Sequence, residues 1–241
     1  MYRSYFKSEC LKFVYNRWLL LCTAGILIFI PAMVLTLDSF AGESGELLYR
    51  SKMMQGFYLG QVGYCVLAAL YFGQEYLRST LRTGLLCVPK RFGFLAAKLT
   101  CILLWTVVLM FAVSLISVLT LHFAYGTADS TESVAALIRC MIPAYLSTLE
   151  LTLLIAAIVI LTRSQIVSIA ILISLILGLG SLLLQYSSMM RYLPVLASMN
   201  SFLIMETTAY LPVGQGIAVQ GIWCAVLLLI AGIVFRKRYV R

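Results

Sequence analysis

Apolar residues run along this chain in blocks of about 20, the length a helix needs to cross the hydrocarbon core of a bilayer. Six blocks stand out, at about 18–37, 53–73, 99–122, 137–161, 166–186 and 216–235. They are apolar on all sides and show no alternation. Strands of a membrane barrel would alternate over about ten residues. In lipid each backbone N–H and C=O needs a partner within the segment, so these blocks predict transmembrane helices. The first block, Trp18–Leu37, is longer than the apolar region of a signal peptide, and no convincing small-residue cleavage site follows it. It reads as a retained span. The fold class is therefore all-α and polytopic, with six helices in a single membrane domain over residues 1–241.

Composition agrees. Hydrophobic residues make up 62% and charged residues 11% of the chain, against roughly half and a quarter in soluble domains. The net charge of +9 does not mark a nucleic-acid surface, because the basic residues lie at block ends rather than on one face. Placing the N-terminus in the cytoplasm puts Arg3, Lys7, Lys12, Arg17, Arg78, Arg82, Lys90, Arg91, Lys98, Arg163, Arg236, Lys237, Arg238 and Arg241 inside. Only Arg50, Lys52, Arg139 and Arg191 fall outside. This strong positive-inside bias predicts that both termini are cytoplasmic. Asp38, Glu43, Glu46, Asp129, Glu132 and Glu206 fall outside and agree with that orientation.

Three connections carry further information. In residues 2–16, Tyr2, Tyr5, Phe6, Cys10 and Phe13 share one side of a helical wheel, opposite Arg3, Ser4, Lys7 and Ser8. Glu9 and Leu11 break the pattern. This segment reads as an amphipathic helix on the inner leaflet, with an ordinary basic flank as the alternative. The loop at 74–98 is the longest and most charged on the inside. In it Leu77, Leu81 and Leu85 stack at four-residue spacing beside a row made by Arg78 and Arg82, before Pro89 ends the helix. It suits a docking site for a cytosolic partner, and spacing alone leaves a lipid-facing basic loop equally open. The outside segment 187–215 is apolar but interrupted by Pro194, Pro212 and Gly214. It is too short to span twice and predicts a re-entrant or interfacial helical hairpin packed on protein.

Little catalytic chemistry is visible. There is no G-x-x-x-x-G-K-[ST] phosphate-binding loop and no H-E-x-x-H metal motif. The cysteines have no zinc spacing and read as small apolar residues. The one histidine, His122, reads as an interfacial polar residue. No catalytic residue, resident cofactor or metal is expected. One ionisable residue, Glu150, falls near the middle of a span, where charge is costly and has a partner or a purpose. It is the intramembrane polar candidate. It either locks helices through hydrogen bonds near Thr148 and Thr152, or couples protons or meets a cationic substrate.

The stretch Gly73–Lys98, GQEYLRSTLRTGLLCVPKRFGFLAAK, resembles the permease subunits of ABC transporters of the ABC-2 type. That family places a Glu just inside span two, then Gly-Thr-Leu-Arg, then Pro with a basic residue, then a Lys leading into span three. The matching residues are Glu75, Thr80, Leu81, Arg82, Pro89, Arg91 and Lys98, and Ser79 stands where the family has Gly. Six spans, inside termini, an N-terminal amphipathic helix and an apolar outer hairpin fit the same layout, that of a type V exporter-like domain. The resemblance implies that 74–98, including Arg78 and Leu85, is a coupling helix seated on an ATPase. It implies two ATPase chains carrying ATP and magnesium, and a second permease that is a copy or a sister chain. Small permeases of this kind resemble bacterial exporters for immunity or resistance to bacteriocins, lantibiotics and other peptide antibiotics in the plasma membrane. Two other readings stay open. One is a proton-coupled secondary transporter using Glu150. The other is a non-transporting sensor or scaffold.

Overall fold

A computed structural model describes residues 2–37, 45–77, 91–125 and 131–237. Its regular structure is helical: α1 (Tyr2–Tyr15), α2 (Arg17–Thr36), α3 (Gly45–Leu77), α4 (Arg91–Tyr125), α5 (Thr131–Thr162), α6 (Gln165–Ser174), α7 (Gly180–Tyr186), α8 (Pro194–Ala197) and α9 (Val213–Lys237). A π-helical turn at Leu175–Leu179 joins α6 to α7. Six spans are long and apolar enough to cross a membrane: α2, α3, α4, α5, α6–α7 taken together, and α9.

Four of the helices overrun their apolar blocks. The block at 53–73 lies inside a helix of 33 residues, and the one at 99–122 inside a helix of 35. At 1.5 Å per residue the longer one reaches roughly 50 Å, well beyond the ~30 Å hydrocarbon core. The extra turns carry Arg50, Lys52 and Lys98, so the polar ends of these helices become part of the fold.

Asn16 separates α1 from α2. Its backbone is extended (φ −89°, ψ 110°), and its side-chain oxygen accepts from Trp18 N at 3.0 Å and Leu19 N at 3.5 Å. This is an N-cap, which satisfies orphan amides of the new helix and lets the chain turn. α1 then packs on α4. Phe13, fully buried, stacks on Trp105 with ring centroids 4.6 Å apart.

α3 and α5 are the most buried spans and form the centre of the bundle. α2 approaches α3 along Gly56, Gly60 and Gly63. A Cβ on Gly60 would lie 2.4 Å from Ile30 Cδ1, and one on Gly56 would lie 2.4 Å from Val34 Cγ2. Small residues at this spacing let membrane helices come close enough for dispersion contacts to hold them.

The fifth span is not continuous. Gly178 sits at φ +135° inside the π turn, a conformation that L side chains rarely adopt. Tyr58 on α3 donates to Ile176 O at 2.6 Å, so a carbonyl in the irregular turn has a partner. Beyond α7 the chain forms short helical turns at Ser188–Tyr192, Pro194–Ala197 and Met199–Phe202. Asn200 closes the following loop by donating to Thr207 O and Leu211 O. Pro194–Phe202 is buried except at Met199. At Gly216 on α9 an added Cβ would lie 2.0 Å from Ala197 O, so the last span seats directly on this segment.

Candidate functional site

The ends of α3 and α4 that flank residues 78–90 meet in a polar network. Lys98 Nζ lies 2.6 Å from Glu75 Oε1, with side chains 3% and 14% exposed. The same ammonium sits over the rings of Tyr71 (4.7 Å to the centroid) and Phe72 (5.2 Å). A buried ammonium needs its charge answered, and a carboxylate with two aromatic faces does so. α1 closes the network from the other side. Glu9 is 2% exposed, accepts from Tyr71 OH at 3.1 Å, and pairs with Lys12 at 2.5 Å. Lys12 Nζ also stands 3.9 Å from Glu75 Oε1. Asn16 Nδ2 donates to Gln74 Oε1, tying the junction of α1 and α2 to α3. Cys10 and Cys101 approach to 3.5 Å between sulfurs, one on α1 and the other on α4.

Three helices therefore share one charged cluster at the N-terminal end of the bundle. Displacing the end of α3 relative to α4 would pull Glu75 away from Lys98, and α1 would follow through Tyr71–Glu9 and Asn16–Gln74. Lys12 stands close enough to Glu75 to exchange partners as that happens. The arrangement is suited to passing on mechanical displacement. Among the described residues no group of His, Cys, Asp and Glu gathers that could hold a metal ion.

Of the residues singled out from the sequence, Glu75 and Lys98 come together directly. Arg91 opens α4. Arg78, Thr80, Leu81, Arg82, Leu85 and Pro89 lie outside the described residues. The sequence signal missed Glu9, Lys12, Tyr71 and Gln74. Glu9 looked like a flaw in an amphipathic pattern, and its burial is explained by Lys12 one turn on and by Tyr71, which is 62 positions away.

Glu150 occupies a different place. It faces Gly221 of α9, where an added Cβ would lie 3.2 Å from its Oε1. Its Oε2 is buried with no hydrogen-bond partner. Thr148 and Thr152, near it in sequence, donate to their own helix, at Ala144 O (2.8 Å) and Leu149 O (2.7 Å), the usual fate of Thr within a span. The polar link between α5 and α9 is made by Ser147 and Gln220. Gln220 Nε2 donates to Ser147 O at 3.0 Å and its Oε1 accepts from Ser147 Oγ at 3.1 Å. The lone polar position of Gln220 in an apolar block was the signal that could have found it.

The protein is thus a multi-pass membrane chain in which the ends of spans two and three and the first helix are clamped together by charge. No curated protein matches the chain. A family model described as ABC-2 family transporter protein matches residues 5–181, which include the clamp, the 78–90 segment and the first five spans almost to their end. The chain belongs to this ABC-2 family of transporter membrane domains, and it is a permease component of an ABC transporter.

Proposed function

We propose that this permease is half of an ATP-driven exporter, and that the Glu75–Lys98 pair is the joint through which ATP hydrolysis on a partner chain reaches the membrane bundle. In this reading ATP and magnesium are bound by a separate ATPase, two copies per transporter. Two permease chains, identical or sister, complete the complex. In this reading both termini and the 78–90 segment are cytoplasmic, as the basic residues favour. The 74–98 connection, with Arg78 and Arg82, is the coupling loop that seats on the ATPase. Closure of the ATPases shifts the ends of α3 and α4, and the charged clamp carries α1 and α2 along. A path between the two permeases then opens to the other side. The cargo class proposed, by analogy with small permeases of this kind, is an amphipathic peptide antibiotic, a drug or a lipid-like molecule leaving through the membrane, as in resistance or immunity.

The observation that carries this reading is the buried Lys98–Glu75 contact of 2.6 Å, at the helix ends that border the proposed docking segment. Co-purification with the ATPase encoded beside this chain tests it, using wild type and Glu75→Ala/Arg82→Ala. Retention of the ATPase by wild type and its loss or uncoupling in the double variant is the expected result. Well-folded wild type that retains no ATPase would overturn the reading.

A second reading has one observation in its favour. The unpartnered Oε2 of Glu150 would suit a proton-coupled carrier. It requires transport that collapses with the proton gradient and is abolished in Glu150→Gln without any ATPase. Transport that survives this substitution and depends on ATP removes it.

A further inference from the structure

We propose that the hollow bounded by α1, the start of α2 and the end of α3 is a binding site for the anionic headgroup of a membrane phospholipid, with Arg17 meeting the phosphate. The hollow has a volume of about 660 Å³ and five charged side chains line it. Four are already matched: Lys98 with Glu75, and Lys12 with Glu9. Arg17 has no acidic partner among the described residues and is exposed. The hollow therefore holds one surplus positive charge on a guanidinium, whose fork matches phosphate oxygens. The helix end is not the source of that charge, since Asn16 Oδ1 occupies the amides of Trp18 and Leu19.

The mouth of the hollow identifies a lipid as the source of the anion. Tyr15 and Trp18 line it and are 81% and 70% exposed. Such rings favour the headgroup level of a bilayer. From Trp18 an exposed strip continues along α2 through Leu21, Gly25 and Ile28, one position per turn. Nothing lies within 4 Å of where a Cβ on Gly25 would stand, so the strip has a notch. A polar hollow opening onto an apolar strip fits a charged head joined to an acyl chain. Free phosphate would use only the hollow. A soluble protein would leave the strip, which lies within the span, uncovered. A second copy of this chain would cover the strip and leave Arg17 unmatched. The proposal is independent of what the transporter carries.

The test uses the full-length protein in mild detergent and native mass spectrometry. Phosphatidylglycerol and phosphatidylcholine with the same chains are titrated, with glycerol 1-phosphate as a headgroup without chains. Phosphatidylglycerol is expected to bind about five-fold more tightly than phosphatidylcholine, the effect of one well-placed basic residue. Arg17→Gln should abolish that preference and Arg17→Lys should keep most of it. Glycerol 1-phosphate should fail to displace the lipid. Equal binding of the two lipids by wild type overturns the proposal, and this comparison needs no variant to fold. So does a preference that survives Arg17→Gln. Displacement by glycerol 1-phosphate would instead assign a free-phosphate site, and lipid lost from dimers but kept on monomers would assign the strip to a second copy. Either result overturns the proposal.

Discussion

Each end of this bundle buries a lysine, and the two are satisfied in different ways. At the end bearing the N-terminus, Lys98 is held by the Glu75 carboxylate and two aromatic faces, with Lys12 and Glu9 one step away. At the opposite end, Lys52 donates to Leu37 O at 2.9 Å, Leu35 O at 3.4 Å and Tyr125 OH at 2.8 Å, and lies over the Tyr125 ring. It has no carboxylate partner among the described residues. Leu35 and Leu37 lie at the C-terminal end of α2, where carbonyls lack intrahelical partners and carry partial negative charge. Lys52 is therefore a cap, bound to backbone that cannot move unless α2 does. Glu75 and Lys98 are side chains on two different helices with a third, Lys12, in reach. An ion pair between side chains of two helices can exchange partners with a third charge in reach, whereas bonds to a helix end only hold it. On the proposed mechanism, the first end is the one that shifts and the second the one that stays.

The largest expected effect comes from Glu75→Gln. It leaves Lys98 buried and unpaired, a loss of about 3–5 kcal/mol. Thermal unfolding in detergent should show it, and Glu75→Gln/Lys98→Met should recover much of the stability without recovering ATPase coupling. Lys52→Met comes next. It removes a charged donor with three acceptors from the end of α2 and should cost at least about 1.5–3 kcal/mol. In the same complex it should leave the ratio of transport to ATP hydrolysis unchanged. If Lys52→Met uncouples as strongly as Glu75→Gln, the two ends do not differ as argued. Tyr71→Phe removes the hydroxyl that holds buried Glu9 and should loosen α1 by about 1.5–3 kcal/mol, seen as faster amide exchange confined to α1. The smallest effect is that of Tyr125→Phe, about 0.5–1.5 kcal/mol. It should lower the unfolding temperature slightly and leave exchange in α1 untouched.

The spans were legible in the sequence because lipid imposes one simple condition on them, a long apolar run. Their ends were not, because α3 and α4 continue as helices through polar turns that pack on protein rather than lipid. Glu75 and Lys98 were visible as positions in a pattern, but only folding brings them to 2.6 Å. Glu9 and Gln220 have partners that were illegible for a common reason. Each is a polar residue in apolar surroundings whose partner, Tyr71 or Ser147, lies on another helix far along the chain. The break in span five was hidden in the same way. Gly178 reads as one small residue in an apolar block, and its positive φ is accommodated in a turn where Tyr58 serves the carbonyl of Ile176.

If the pairing between α3 and α4 transmits force, reversing its charges should expose this. ATP hydrolysis and transport would be measured in the reconstituted complex with Glu75→Lys, with Lys98→Glu and with both together. Each single reversal should uncouple hydrolysis from transport, and the double reversal should restore a substantial part of the coupling. A double variant that binds the ATPase and folds as wild type, yet stays as uncoupled as the single ones, would contradict it.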